Sequence, residues 1–262
     1  MATSKHMKLP IESYMFSDDQ RQKIVTAKEH VIRDCMRRQG FAYTVSQASS
    51  SFKPESLTAL RYGITSLPDA ENLGYRPKGS EESTSTERKT NPVSKEWTEA
   101  LQGTGKPHTR KNQTIPAGGC VEESRNRLHD TEKDGGGGDA EISNSINAAS
   151  WNQSFESKEV EEAFSKWSTC MKNHGFRYAD PMESNNDAKW RRTKTATRTE
   201  KRVAATDVRC KNLHDVVEIW YTSDKNYQKN MIAANIEQLE KVRQRIGTQV
   251  RLAEEVLESD IT

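Results

Sequence analysis

The chain has 262 residues, 40 Lys and Arg against 38 Asp and Glu, and a mean hydropathy of −0.94. Leu, Ile, Val and Phe number only 42, a share low enough to suggest disorder, but the net charge of +2 supplies none of the self-repulsion that keeps a disordered chain open. This composition excludes a membrane-spanning run of ~18 apolar residues, argues against a large α/β enzyme with Val/Ile-rich strands, and gives no global pull toward nucleic acid or a membrane.

The periodicity predicts a mainly α-helical protein of two related halves, with long disordered loops and a long C-terminal helix. Residues 1–16 read as an extended leader ending on Leu9-Pro10-Ile11. Ser17 followed three residues later by Gln20 is a capping-box pattern, and Ile24, Ala27, Val31, Ile32, Cys35 and Met36 lie on one helical face, so a helix is expected over about 18–39, stopped by Gly40. Residues 42–75 are less regular: Leu57, Leu60 and Tyr62 suggest a short strand or a turn of helix, and Pro68 opens a short helix over 68–73. The stretch 76–92 is nearly devoid of apolar residues and is expected to be a disordered loop. A short helix follows over Ser94–Leu101, then a loop over Gly103–Gly119, then a helix to about His129. The glycine run at 135–139 reads as a linker dividing an N-terminal half, 1–134, from a C-terminal half, 140–262.

The second half opens on a weak helix over 140–149. A stronger one is expected over 157–174, where Val160, Ala163, Phe164, Trp167, Cys170 and Met171 trace one face. Residues 179–199 are polar and turn-rich. A helix near 200–210 precedes a long one from about 213 to 259, with a break near Thr222-Ser223-Asp224. Its late apolar spacing is close to a heptad, which suits either a partner surface or packing against the repeat helices, the latter favoured.

One pattern occurs twice. Cys35-Met36-Arg37-Arg38-Gln39-Gly40-Phe41-Ala42-Tyr43 and Cys170-Met171-Lys172-Asn173-His174-Gly175-Phe176-Arg177-Tyr178 share CMxxxGFxY. Each copy closes an amphipathic helix, placing Cys and Met on the buried face and Gly at the chain reversal. This is foremost a helix-ending packing unit, with a binding role for its aromatic residues as the alternative. A further cysteine follows each copy, at 120 and 210. Four cysteines allow three pairings, which spacing alone does not decide. The repeat favours one bridge per half, Cys35 with Cys120 and Cys170 with Cys210, over four buried free thiols.

Several stretches, namely Leu9-Pro10-Ile11-Glu12-Ser13-Tyr14, the CMxxxGF element, Arg61-Tyr62-Gly63-Ile64, Gly74-Tyr75, Ile115-Pro116-Ala117-Gly118-Gly119-Cys120, and Ala205-Thr206-Asp207-Val208-Arg209-Cys210 onward to Trp220, resemble a family of uncharacterised actinobacterial (Streptomyces-type) exported proteins, many of which read as lipoproteins. The resemblance covers most of the chain and transfers no chemistry. It implies an oxidising location, which supports disulfides. The first residues show no apolar signal-peptide core, so the expectation is an extracytoplasmic or membrane-anchored protein if a leader was removed, and a cytoplasmic one otherwise.

The six histidines show no metal-ligand spacing, His129-Asp130 and His214-Asp215 read as surface dipeptides, and no nucleophile elbow or phosphate loop is present. No catalytic residue, metal ligand or cofactor is therefore assigned. The most charged stretch, Arg191, Arg192, Lys194, Arg198, Lys201 and Arg202, is a possible polyanion contact. Only Trp190 stands beside it, so base stacking is not suggested. The leading expectation is a non-catalytic extracytoplasmic protein that binds an envelope protein or small ligand, with membrane contact only through a lost lipid anchor. An intracellular protein binding nucleic acid or another polyanion through 191–202 is the alternative.

Overall fold

The structure, a computed structural model, describes residues 4–44, 56–77, 94–110, 113–129 and 140–259. Among them are ten α-helices and one short hairpin. In chain order these are α1 (Asp18–Arg38), α2 (Leu67–Leu73), α3 (Lys95–Gln102), β1 (His108–Arg110), β2 (Gln113–Ile115), α4 (Gly119–Arg127), α5 (Glu141–Phe155), α6 (Lys158–Asn173), α7 (Pro181–Asn185), α8 (Arg198–Leu213), α9 (Val216–Ala234) and α10 (Ile236–Ser259). Short 3₁₀ turns occupy Ser4–His6, Pro10–Tyr14 and Ala188–Arg192. The mainly helical class and the long C-terminal helix are as the periodicity predicts. The expected loop 76–92, from residue 78 onward, and the glycine linker 135–139 lie outside the described residues.

The chain forms two compact units that interleave along the sequence, where composition suggested two consecutive halves. The first comprises Met1–Glu12, Ser50–Ser85 and Asn144–Ile236, the second Ser13–Ser49, Thr86–Ser143 and Glu237–Thr262. Each unit contains one CMxxxGFxY helix and one disulfide.

The first unit is built on aromatic residues of α5, α6 and α9. Trp167, Trp220 and Tyr62 are fully buried, with Trp151, Phe155 and Phe164 around Trp220. Buried indoles need acceptors. Trp220 donates to Ser154 Oγ (3.0 Å), Trp151 to the Arg61 carbonyl (3.0 Å) and Trp167 to Asp207 Oδ1 (2.9 Å). A buried ion pair crosses this core: the Arg61 guanidinium reaches both Asp224 oxygens and Asn147, and Tyr62 donates to Asp224 (2.9 Å). The opening segment belongs here too. Leu9 and Ile11 are buried, the Ile11 amide donates to the buried Gln228 side chain (3.1 Å), and Tyr221 donates to the Lys8 carbonyl (2.8 Å). It is thus packed chain rather than an extended leader.

In the second unit, Ile24 and Ala27 of α1 pack against Val242, Ile246, Ala253 and Val256 of α10. The C-terminal stripe is therefore spent on a repeat helix. Ile32, Cys35 and Met36 pack against Ala100 of α3 and Cys120 of α4. The capping box forms as read: Ser17 Oγ accepts from the Gln20 amide (3.2 Å) and Gln20 Oε1 from the Ser17 amide (2.9 Å).

Both repeats end the same way. The Phe41 amide donates to the Met36 carbonyl and the Gly40 amide to that of Arg37, while Phe176 and Gly175 do the same to Met171 and Lys172, all at 2.9–3.0 Å. This is the Schellman arrangement, and Gly40 (φ 84°) and Gly175 (φ 86°) occupy its left-handed position. Cys35 is bonded to Cys120 and Cys170 to Cys210, with Cα separations of 5.6 and 5.8 Å, so the pairing suggested by the repeat is the one present. Closing chain segments of this length contributes about 4 kcal/mol each by the chain-entropy estimate, a large share for a chain with so few apolar residues.

Elsewhere the structure differs from expectation. The loop over Gly103–Gly119 contains the β1–β2 hairpin, whose inner Ile115 is buried. The long terminal helix is two helices parted at Asn235 rather than near Thr222-Ser223-Asp224, because Asp224 is committed to Arg61 from inside a continuous α9. Residues 179–199 hold α7 and a 3₁₀ turn, α5 runs to Phe155, and α8 begins at Arg198.

Two glycines separate conformational cost from packing. A Cβ at Gly175 or at Gly247, inside α10, meets nothing within 4 Å. Gly175→Ala is expected to destabilise the protein by about 1 kcal/mol through its positive φ, and Gly247→Ala to stabilise it by about 1 kcal/mol through helix propensity, both read from urea midpoints.

Candidate anion-binding groove

The first unit carries an open groove of about 560 Å³ along α8. One wall is α8 itself, with Arg198, Lys201, Arg202, Ala205, Thr206 and Arg209. The others are Glu71 of α2 and His174 and Phe176 from the end of α6. Arg198, Arg202 and Arg209 follow at steps of four and seven, so they share one helix face, and Lys201 lies one position around. Arg198, Lys201 and Arg202 make no ion pair among the described residues, whereas Arg209 pairs with Glu71 (2.6 Å) at the surface. Four cations thus face one acid across the groove.

The rotation of α8 that presents this row is fixed from its other side. Asp207 and Lys211, one helical turn apart, are fully enclosed and paired at 3.1 Å. Asp207 also accepts from the Trp167 indole and from Tyr75 Oη (3.2 Å), and Lys211 donates to the Ile64 carbonyl (3.0 Å). Burial pushes the Asp207 carboxyl up and the Lys211 ammonium down, each opposed by its partner. Burial and the Asp207 charge also raise the Tyr75 phenol. Cys210 adds the covalent tie to α6, and Ala204, Ala205 and Val208 hold α2 through Ala70. Gly74 ends α2 at positive φ against Glu200, whose side chain would lie 2.8 Å from an added Cβ, so this close approach requires glycine.

The basic stretch singled out in the sequence divides in two. Arg198, Lys201 and Arg202 line the groove, while Arg191 and Arg192 stand exposed on the 3₁₀ turn and Lys194 in the loop after it, outside the groove lining. The backbone of that loop is clamped by Arg76, whose guanidinium donates to the carbonyls of Trp190 (2.7 Å), Thr193 (2.8 Å) and Lys194 (2.7 Å). Trp190 is buried, its indole donating to the Ser184 carbonyl and its ring stacking on Tyr75, so it offers no open face for a base. Sequence reasoning missed Arg209, His174 and Phe176 as neighbours of the basic stretch. The i, i+4, i+11 spacing of the arginines was the available signal for Arg209. Nothing local could link it to the end of α6.

Comparison with protein-family models, with curated proteins and with solved structures gives no match. A slightly larger cleft of about 630 Å³ lies between α6 and α9, lined by Glu159, Glu162 and Glu218 with Ile219 and Tyr227. Lys166 stands among its acids. The groove on α8 is the stronger candidate because its cations are held in a row by a helix that cannot turn.

Lys211→Met leaves Asp207 as a buried, uncompensated carboxylate and is expected to cost about 3–5 kcal/mol at neutral pH. A carboxyl whose folded pKa lies above its unfolded value loses stability as pH rises through that interval. The deficit relative to wild type should therefore shrink as pH falls toward 4, as urea titrations at the two pH values would show.

Proposed function

We propose that this is a non-catalytic extracytoplasmic protein that binds an anionic polymer of the cell envelope along α8. The observation that carries this reading is the row of Arg198, Lys201, Arg202 and Arg209 along one groove, answered by the single acid Glu71. A row of like charges on a rigid helix attracts a partner that presents successive negative charges. An α-helix rises 1.5 Å per residue, so the arginines at 198, 202 and 209 span roughly 16 Å, longer than a single small anion requires. Two disulfides suit an oxidising environment, and the resemblance to exported actinobacterial proteins points the same way. No helix among the described residues is long and apolar enough to cross a membrane.

The same groove would attract nucleic acid in the cytoplasm, but reducing conditions there oppose both disulfides, and among the described residues its lining holds no indole or phenol ring for base stacking, only Phe176 and the imidazole of His174. Protein isolated from its native host should be lighter than its reduced form by four hydrogens, with Cys35–Cys120 and Cys170–Cys210 peptides joined. Four free thiols would move the nucleic-acid reading to the front.

Binding is tested with inorganic polyphosphate as the probe, followed by fluorescence anisotropy at several salt concentrations. Affinity should fall with salt with a log–log slope of about 3, one for each unpaired groove cation engaged. The double change Arg198→Glu and Arg202→Glu should weaken binding at least tenfold. Reversing Arg191 and Arg192 should change it by less than about threefold, because those side chains lie outside the groove. Equal losses from both pairs, or no loss from either, would overturn the reading.

A further inference from the structure

Cys170, His174 and Cys210 bring their potential ligand atoms within 4.8 Å of one another. Both sulfurs are joined in the disulfide, so the oxidised chain has no thiolate to offer. We propose that, once this bridge is reduced, the three residues bind Zn²⁺, and that disulfide and metal are alternative occupants of one position at the edge of the groove. A dithiol passes two electrons and two protons to the bridge and itself becomes a disulfide. Zn²⁺ then displaces the two thiol protons to water and is held by two thiolates and one imidazole.

Three features fit that ion. A tetrahedral site with Zn–S near ~2.3 Å and Zn–N near ~2.0 Å separates its ligand atoms by roughly 3.5–3.8 Å, so the two sulfurs part on reduction while the imidazole, already within 4.8 Å, closes in. His174 Nδ1 lies 2.8 Å from the Cys170 carbonyl. A carbonyl only accepts, so Nδ1 donates to it and Nε2 is the ring nitrogen left for a metal, the second-shell arrangement that prepares histidines for metals. The cysteines are buried while His174 is exposed at the groove, which leaves the fourth position open to water.

The duplication supplies an internal control. The first copy has Cys35, Cys120 and, at the position of His174, Gln39. A neutral amide does not replace imidazole on zinc, so the proposal is confined to the second copy.

The test uses the full chain, reduced and refolded under argon, with Co²⁺ as a coloured stand-in for Zn²⁺ and no polyanion present, so its outcome is independent of the groove reading. One equivalent of Co²⁺ should produce a cobalt–thiolate charge-transfer band that Zn²⁺ abolishes. The band should persist in a Cys35→Ser, Cys120→Ser double variant and require at least tenfold more Co²⁺ in His174→Ala. A folded, reduced chain without the band, or equal affinity in His174→Ala, would overturn the proposal. If the reduced chain does not fold alone, the readout becomes helical circular dichroism. Zn²⁺ should then restore it in the wild type and not in His174→Ala, and failure of Zn²⁺ to restore it overturns the proposal equally.

Discussion

Asp207 and Lys211 are enclosed on α8 where water does not reach, and the helix has one rotation at which both are satisfied. Turning it would strip Asp207 of Trp167 and Tyr75 and Lys211 of the Ile64 carbonyl. A buried charge without partners costs several kcal/mol, more than any surface contact on the opposite face returns. The groove therefore inherits its geometry from the interior. Arg198, Arg202 and Arg209 stand in a row because of what lies behind them, and the Cys170–Cys210 bond fixes the end of α6 to the same helix. Such placement lowers the ordering cost a ligand would otherwise meet.

The two copies of CMxxxGFxY show how one folding unit accommodates different surfaces. Their last turns, left-handed glycines and disulfides are equivalent. The helix that receives the bridge is not. α4 begins at Gly119, one residue before Cys120, whereas α8 begins at Arg198, twelve residues before Cys210. The groove cations occupy that additional helix. In the second unit the corresponding region is the β1–β2 hairpin and the turn leading into α4, and Arg38 and Glu123 neutralise one another beside the bridge. Duplication thus preserved the joint, while the difference between the copies lies in the approach to it.

Local signals were legible where physics is local. The capping box at Ser17, the apolar faces of α1 and α6, and the terminating glycines concern neighbours within one or two turns, and all appear as read. The disulfide pairing was legible because the sequence repeats itself. The long-range polar contacts were not. Nothing near Arg61 announces Asp224, and nothing near Lys211 announces that it is buried, since a charged residue four positions from an acid reads as a solvated helix pair. The basic stretch is divided for the same reason: proximity in sequence groups 191–194 with 198–202, but the fold turns only the second set toward Arg209 and His174.

The interleaved order of the two units bears on how the chain comes to be folded at all. The first unit needs residues from Met1–Glu12 and from a segment ending at Ile236, and the second draws its last helix from Glu237–Thr262. A ribosome or a translocation pore delivers residues from one end, so Leu9 and Ile11 wait unburied until Gln228 emerges, and Ile24 and Ala27 wait for Val242 and Ile246. No contiguous fragment of the chain contains a finished unit before α9 is complete. Completion of the first unit is thereby deferred until α9 is available, and that of the second until α10 is. The final turns of α10, where Ala253 and Val256 close over Ile24 and Ala27, are therefore the closing step in assembling the second unit.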